Sequence, residues 1–103
     1  MGEFVKVAST SEIPDGEMKI VEVDGQEIVV ANLNGEFVAF QSECTHRGGP
    51  LGEGILMNDV VECPFHAGQF NVRTGEVVGP PPTEPIATFA VQVEGDDVKV
   101  EKG

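Results

Sequence analysis

Three two-residue turn signals do most to limit how this chain can fold. Asp24-Gly25 sits between apolar runs at 18–23 and 26–31, Asn34-Gly35 precedes a run at 37–40, and Gly95-Asp96 separates runs at 88–93 and 97–101. Asp-Gly and Asn-Gly suit type I′ hairpins, because both central residues of that turn need positive φ. The flanking runs are rich in β-branched residues. The last two alternate, with Phe89, Val91 and Val93 on one face and Val98 and Val100 paired likewise. Residues 4–8 read as a first strand and 11–15 as a loop. No stretch repeats with a period of 3.6, and thirteen Gly and seven Pro oppose long helices. Residues 9–12 can form one short turn. The expectation is an all-β fold, an antiparallel sandwich or barrel with Phe37, Phe40 and Phe89 in its core. Two stretches break the pattern: an irregular region at 41–56 and a stiff, extended one at 79–85. Long ordered loops in a small domain tend to be functional.

At 103 residues and 10.9 kDa the chain is expected to be a single domain, 1–103. Six basic and 18 acidic residues give a net charge of −12. Such a chain is repelled by nucleic acid and anionic lipid, so neither is expected as a partner, and a charged partner would present a basic face. The competing reading is that the acid serves only solvation. No apolar run approaches the ~18–20 residues of a membrane span, and residues 1–8 have no apolar core of a signal peptide. The expectation is a cytoplasmic, monomeric protein.

Both cysteines and both histidines fall within 23 residues: Cys44, His46, Cys63 and His66. In a reducing compartment such a cluster reads as metal-binding or catalytic rather than as a disulfide. The pattern is Cys44-x-His46, sixteen residues, then Cys63-x-x-His66. Gly48, Gly49, Gly52 and Gly54 follow the first pair and Gly68 the second; backbone amides in such loops can turn outward onto an anionic object. Two metal readings fit. Structural zinc takes two Cys and two His, although its usual spacings pair like with like. A two-iron, two-sulfide cluster takes Cys on one iron and His on the other.

The flanks extend this. Cys44-Thr45-His46-Arg47-Gly48-Gly49-Pro50-Leu51 and Cys63-Pro64-Phe65-His66-Ala67-Gly68-Gln69-Phe70 resemble the two cluster-binding loops of Rieske proteins, and 79–85 resembles their covering Pro-rich loop. From end to end the chain resembles the soluble Rieske-type ferredoxins of bacterial aromatic-ring dioxygenase systems. The resemblance implies an all-β Rieske fold with a small cluster-binding subdomain inserted near 42–82. It also implies one [2Fe-2S] cluster, with Cys44 and Cys63 on the inner iron and His46 and His66 on the outer. The implied role is a one-electron carrier, itself no enzyme, between a flavin-dependent NAD(P)H reductase and a terminal oxygenase.

The chain departs from the quinol-oxidising branch of that family. The positions of that branch's loop disulfide are Gly49 and Phe65, and the positions of its Ser and Tyr donors are Gly68 and Phe70. Gly and Phe offer no side-chain donor. The oxidised cluster with two thiolates sums to zero charge, and one electron makes it negative. Fewer donors to its sulfurs therefore lower the potential, toward about −150 mV, the low end of the Rieske range. Pro50, Leu51, Pro64, Phe65 and Pro81 could form a dry rim around the histidines, Phe65 and Leu51 alternatively packing over the cluster. Arg47 either docks a carboxylate or is solvated. No nucleotide fingerprint is present, and no spare His pair with a carboxylate exists for a mononuclear iron. Two alternatives stand: the small subunit of an assimilatory nitrite reductase, and a zinc-stabilised interaction module.

Overall fold

The computed structural model describes residues 3–43, 51–64, 68–79 and 84–102, with residue 102 described by its backbone alone. Its strands are β1 (Glu3–Ser9), β2 (Met18–Val23), β3 (Gln26–Leu33), β4 (Glu36–Gln41), β5 (Ile55–Met57), β6 (Val60–Glu62), β7 (Gln69–Asn71), β8 (Val77–Gly79), β9 (Thr88–Phe89), β10 (Val91–Glu94) and β11 (Asp97–Lys102). Short 3-10 turns at Thr10–Glu12 and Leu51–Glu53 are the helical elements among the described residues. The fold is all-β, as the turn chemistry requires.

The strands form three antiparallel sheets, in the orders β1-β11-β10, β2-β3-β4-β9 and β5-β6-β7-β8. The two hairpin signals act as their chemistry dictates. Asp24 and Gly25 have φ of 56° and 84°, and Asn34 and Gly35 have 59° and 97°. At the third turn only Gly95 is positive, at 59°, which suits a type II′ turn with Gly in its first central position.

The central sheet is buried on both faces, and β3 shows why. Its six residues from Ile28 to Leu33 are all buried. Alternation sends Ile28 and Val30 into a core with Ala8, Ile13, Val98 and Val100, against the β1-β11-β10 sheet. It sends Val29, Ala31 and Leu33 the other way, into a core with Phe40, Val61, Phe70 and Val72, against the β5–β8 sheet. Asn32 is the polar residue in this run. Its Nδ2 donates to the Ile13 carbonyl at 2.8 Å and its Oδ1 accepts from Gly35 N–H at 2.7 Å, so its burial leaves no polar atom unpaired.

Two expectations need correction, and one sheet was not foreseen. The irregular region at 41–56 is shorter than expected: Gln41 ends β4, and Leu51–Glu53 and the first two residues of β5 lie within it. The whole β5–β8 sheet lacked a sequence signal, because strands of three residues are too short to display alternation. The run at 88–93 is two strands, not one. Phe89 pairs with Ala39 of the central sheet, whereas Val91 pairs with Val100 of the first sheet. Ala90 is the crossing point, its carbonyl accepting from Glu101 N–H at 2.9 Å. Phe40 is fully buried, while Phe37 and Phe89 are half-buried against the second core.

Candidate metal centre

The β5–β8 sheet is inserted between β4 and β9, which pair with each other. The chain therefore leaves the central sheet after Gln41 and returns at Ala87, directly alongside. Gln41 N–H donates to the Ala87 carbonyl at 2.9 Å. Within the insert, β5 pairs with β6 through Ile55–Glu62, Leu56–Val61 and Met57–Val60, and β6 pairs with β7 through Val60–Asn71, Val61–Phe70 and Glu62–Gln69. Leu56, Val61, Phe70 and Val77 pack toward the core, and Ile55 and Met57 face outward and are exposed. The β7–β8 register shifts at Gln69/Phe70, leaving Val78 as an extra, exposed residue. Bulges of this kind re-aim the chain beside functional sites.

Of the four expected ligands, Cys63 lies among the described residues; Cys44, His46 and His66 lie outside them, as do Arg47, Gly48, Gly49, Pro50, Phe65 and Pro81. Cys63 directly follows β6 and is only 1% exposed. Its N–H donates to the Gly68 carbonyl at 2.7 Å, which closes the base of the loop carrying His66. The base of the loop carrying Cys44 and His46 is closed similarly, by Leu51 N–H donating to the Ser42 carbonyl at 2.7 Å. Past the Pro-rich stretch, Ile86 N–H donates to the Gly75 carbonyl at 2.9 Å. Leu51, Cys63 and Ile86 belong to one buried cluster. The bases of all three loops thus converge on the same core, with the Cys63 thiol in it.

Two loop glycines have a steric task. A Cβ on Gly54 would lie 2.0 Å from the Glu62 carbonyl oxygen and 3.2 Å from Pro64 Cδ, and one on Gly52 would lie 2.3 Å from Ile20 Cγ1. They allow close approach of the loop to neighbouring strands, Gly52 to β2 and β3 and Gly54 to the residues on either side of Cys63. Leu51 is fully buried and so forms no part of a surface rim, whereas Pro64 is exposed as a rim requires. Phe70 is also fully buried, and the Gly68 carbonyl is engaged by Cys63.

The described surface around Cys63 is acidic. Glu43 and Glu53 are exposed, and the half-buried Glu62 accepts from Gln69 Nε2 at 3.2 Å. The cations with described side chains are all engaged elsewhere: Lys6 with Asp97 at 3.2 Å, Lys19 with Glu12 at 3.0 Å, Arg73 with Glu36 at 2.7 Å, and Lys99 with Glu94. Glu36 holds the Arg73 guanidinium above its ordinary pKa, and Glu94 does the same for the Lys99 ammonium. An open cleft of about 450 Å³ lies between the β3–β4 and β5–β6 turns, lined by Asp15, Asn34, Asn58 and Asp59 among others. It lies at the opposite end of β6 from Cys63. No helix among the described residues is long and apolar enough to cross a membrane.

Comparison with known proteins agrees with this architecture. The chain is 46% identical over 99 residues to the biphenyl dioxygenase ferredoxin subunit of Pseudomonas sp. (strain KKS102), covering 95% of this chain and 91% of that protein. It is 44% identical over 98 residues to the biphenyl 2,3-dioxygenase ferredoxin component of Rhodococcus jostii (strain RHA1), covering 95% and 92%. Among solved structures, a chain of the complex of reduced oxygenase and oxidized ferredoxin in carbazole 1,9a-dioxygenase superposes with a TM-score of 0.92. It is 37% identical, over 96% of this chain and 93% of that one. Residues 3–90 match the Rieske [2Fe-2S] domain. The chain belongs to the Rieske [2Fe-2S] domain family, as a ferredoxin that carries electrons on one such cluster rather than as an oxygenase.

Proposed function

We propose that this ferredoxin takes one electron at a time from a flavin-dependent NAD(P)H reductase and delivers it to a terminal oxygenase in the cytoplasm. The observation that carries the reading is the place of Cys63, a buried sulfur where three loop bases meet. A buried Cys is ordinarily a neutral thiol, and its burial is commonplace. What suits Cys63 to an inner iron, bound as the thiolate, is that the bases of both ligand loops meet beside it. In this reading Cys44 and Cys63 bind that iron, His46 and His66 bind the outer one, and 42–82 is the cluster-binding subdomain of a single domain. When bound, the cluster supplies reversible one-electron chemistry. The chain's own residues keep water from the inner side, through Leu51, Val61, Phe70 and Ile86. The imidazoles, bound through one nitrogen each, keep the other N–H for a partner. Glu43, Glu53 and the general acidity favour a partner with a basic docking face, which would speed encounter and make it salt-dependent.

The test is an EPR spectrum of the dithionite-reduced protein, with a redox titration of the same sample. The expected result is the rhombic signal of a His-ligated two-iron cluster with a midpoint near about −150 mV. His46→Ala should abolish that signal. A colourless, EPR-silent protein containing zinc, or a His46→Ala variant with the unaltered spectrum, would overturn the ligand assignment. A midpoint well above zero would overturn the role between reductase and oxygenase.

A further inference from the structure

The neck of the insert is closed by one side chain. Gln41, the last residue of β4, makes three hydrogen bonds there, two across the neck to Ala87 and one along its own segment to Glu43. Its backbone N–H donates to the Ala87 carbonyl at 2.9 Å. Its side-chain Oε1 accepts from Ala87 N–H at 2.7 Å, and its Nε2 donates to the Glu43 carbonyl at 2.6 Å. The β4–β9 ladder itself extends over Ala39–Phe89 and Phe40–Thr88 only. One position further, the Gln41 amide takes the place of the strand carbonyl that Ala87 would otherwise bond. The two groups it joins are Glu43, the residue before Cys44, and Ala87, four residues after position 83 of the Pro-rich stretch.

We propose that Gln41 is a positioning residue for electron transfer: it ties the entry of the first ligand loop to the exit of the covering loop and so sets how much water reaches the cluster. The inference rests on the ligand assignment above. An amide is suited to this task because it offers a donor and an acceptor at once, without charge. A carboxylate offers only acceptors and would face the Glu43 carbonyl. An apolar residue offers neither. The bonds are on the rim of the fold, where Gln41 is half-buried, so their loss opens the neck without removing core. The added electron makes the cluster negative. Water admitted to it stabilises that reduced state, and the potential rises.

The experiment compares wild type with Gln41→Met, which keeps the length of the side chain and removes both of its bonds, and Gln41→Glu, which keeps the acceptor for Ala87. Three quantities are read on the holoprotein: amide exchange at Ala87, the rate of cluster bleaching by an iron chelator, and the midpoint potential. In Gln41→Met, exchange at Ala87 and bleaching should each rise roughly tenfold, about what one lost hydrogen bond gives. The potential should move upward while the EPR signal keeps its rhombic form. Gln41→Glu should fall between the two in exchange and bleaching, while its added negative charge by itself lowers the potential. If Gln41→Met does not fold, those two rates in Gln41→Glu carry the test, and unchanged rates overturn it. An unchanged potential and bleaching rate, with or without a lower unfolding temperature, would overturn the proposal, since a purely structural residue alters only the latter. Failure of the ligand assignment would look different: the wild-type protein itself would lack the signal.

Discussion

β3 and β6 are both inner strands of their sheets, and they are specified in opposite ways. β3 runs eight residues between two turns whose central residues all have positive φ, and it buries six consecutive side chains. Its own sequence states its length, its turns and its two-sided burial. β6 has three residues, of which Val61 is fully buried. Almost nothing in Val60-Val61-Glu62 says strand. What holds it is β5 on one side, β7 on the other and the central sheet beneath. The base of the fold is written locally, while the insert that carries Cys63 is assembled by tertiary contact.

The comparison is tested hardest at Gly54. A Cβ there would meet the Glu62 carbonyl at 2.0 Å, and that backbone atom is fixed by the β5–β6 pairing. Gly54→Ala must therefore push β5 away from β6 one residue before Cys63. We expect a loss of about 3 kcal/mol, the upper part of the range for overpacking, with a Tm drop of about 12 °C or more. Incomplete cluster loading should accompany it. Calorimetry and iron content measure both. A fully loaded variant with an unchanged Tm would mean the insert yields easily, and that close packing does not define it.

A smaller effect belongs to the base. Gly35 has φ of 97° and open space where a Cβ would go. Its requirement is conformational, not steric. Gly35→Ala should cost about 1–2 kcal/mol for a left-handed alanine and leave cluster loading and potential as in wild type. Denaturant unfolding and the redox titration decide it. A shifted potential would show that the β3–β4 hairpin is coupled to the loops around Cys63, contrary to the division drawn here.

The same division explains what could be read in advance. The hairpins at Asp24-Gly25 and Asn34-Gly35 were legible because glycine turns and β-branched runs carry their own instructions. The β5–β6 turn has Asn58 at φ 56° but no Gly after it, and three-residue strands on either side, so it gave no signal. The break at Ala90 was hidden because a run that changes sheets keeps its alternation. At the site, Cys63 stood out by its spacing, since a ligand is chosen for its chemistry. Its surroundings did not. Leu51 could be read either as a surface rim or as packing beneath the loop, and it is core. Gly54 stood out as a loop glycine, but its close contact with the Glu62 carbonyl did not. Gln41 bonds Ala87, 46 positions away, a partner that no local pattern can announce.

The smallest expected effect concerns the edge of the base. The Glu12 carboxylate accepts from Ser9 N–H at 2.7 Å and from Lys19 Nζ at 3.0 Å. The bond from the Ser9 backbone, followed by that from Lys19, holds its pKa below the ordinary 4.5. A depressed folded-state pKa gives stability that is present above the unfolded value and is lost as pH falls through the folded one. The group is exposed and screened, so the effect is slight. Wild type should therefore be a little more stable than Glu12→Gln at neutral pH, with the difference disappearing in acid below about pH 4. Urea midpoints of the two proteins at several pH values measure this. Taking the difference between them cancels the acid sensitivity of the loops around Cys63, which both proteins share. A difference that stayed constant from neutral pH into acid would mean that the side chain matters for its shape and not its charge. The first strand and the turn after it would then owe nothing to that carboxylate, and the base would be as indifferent to its surface charges as its buried hairpins imply.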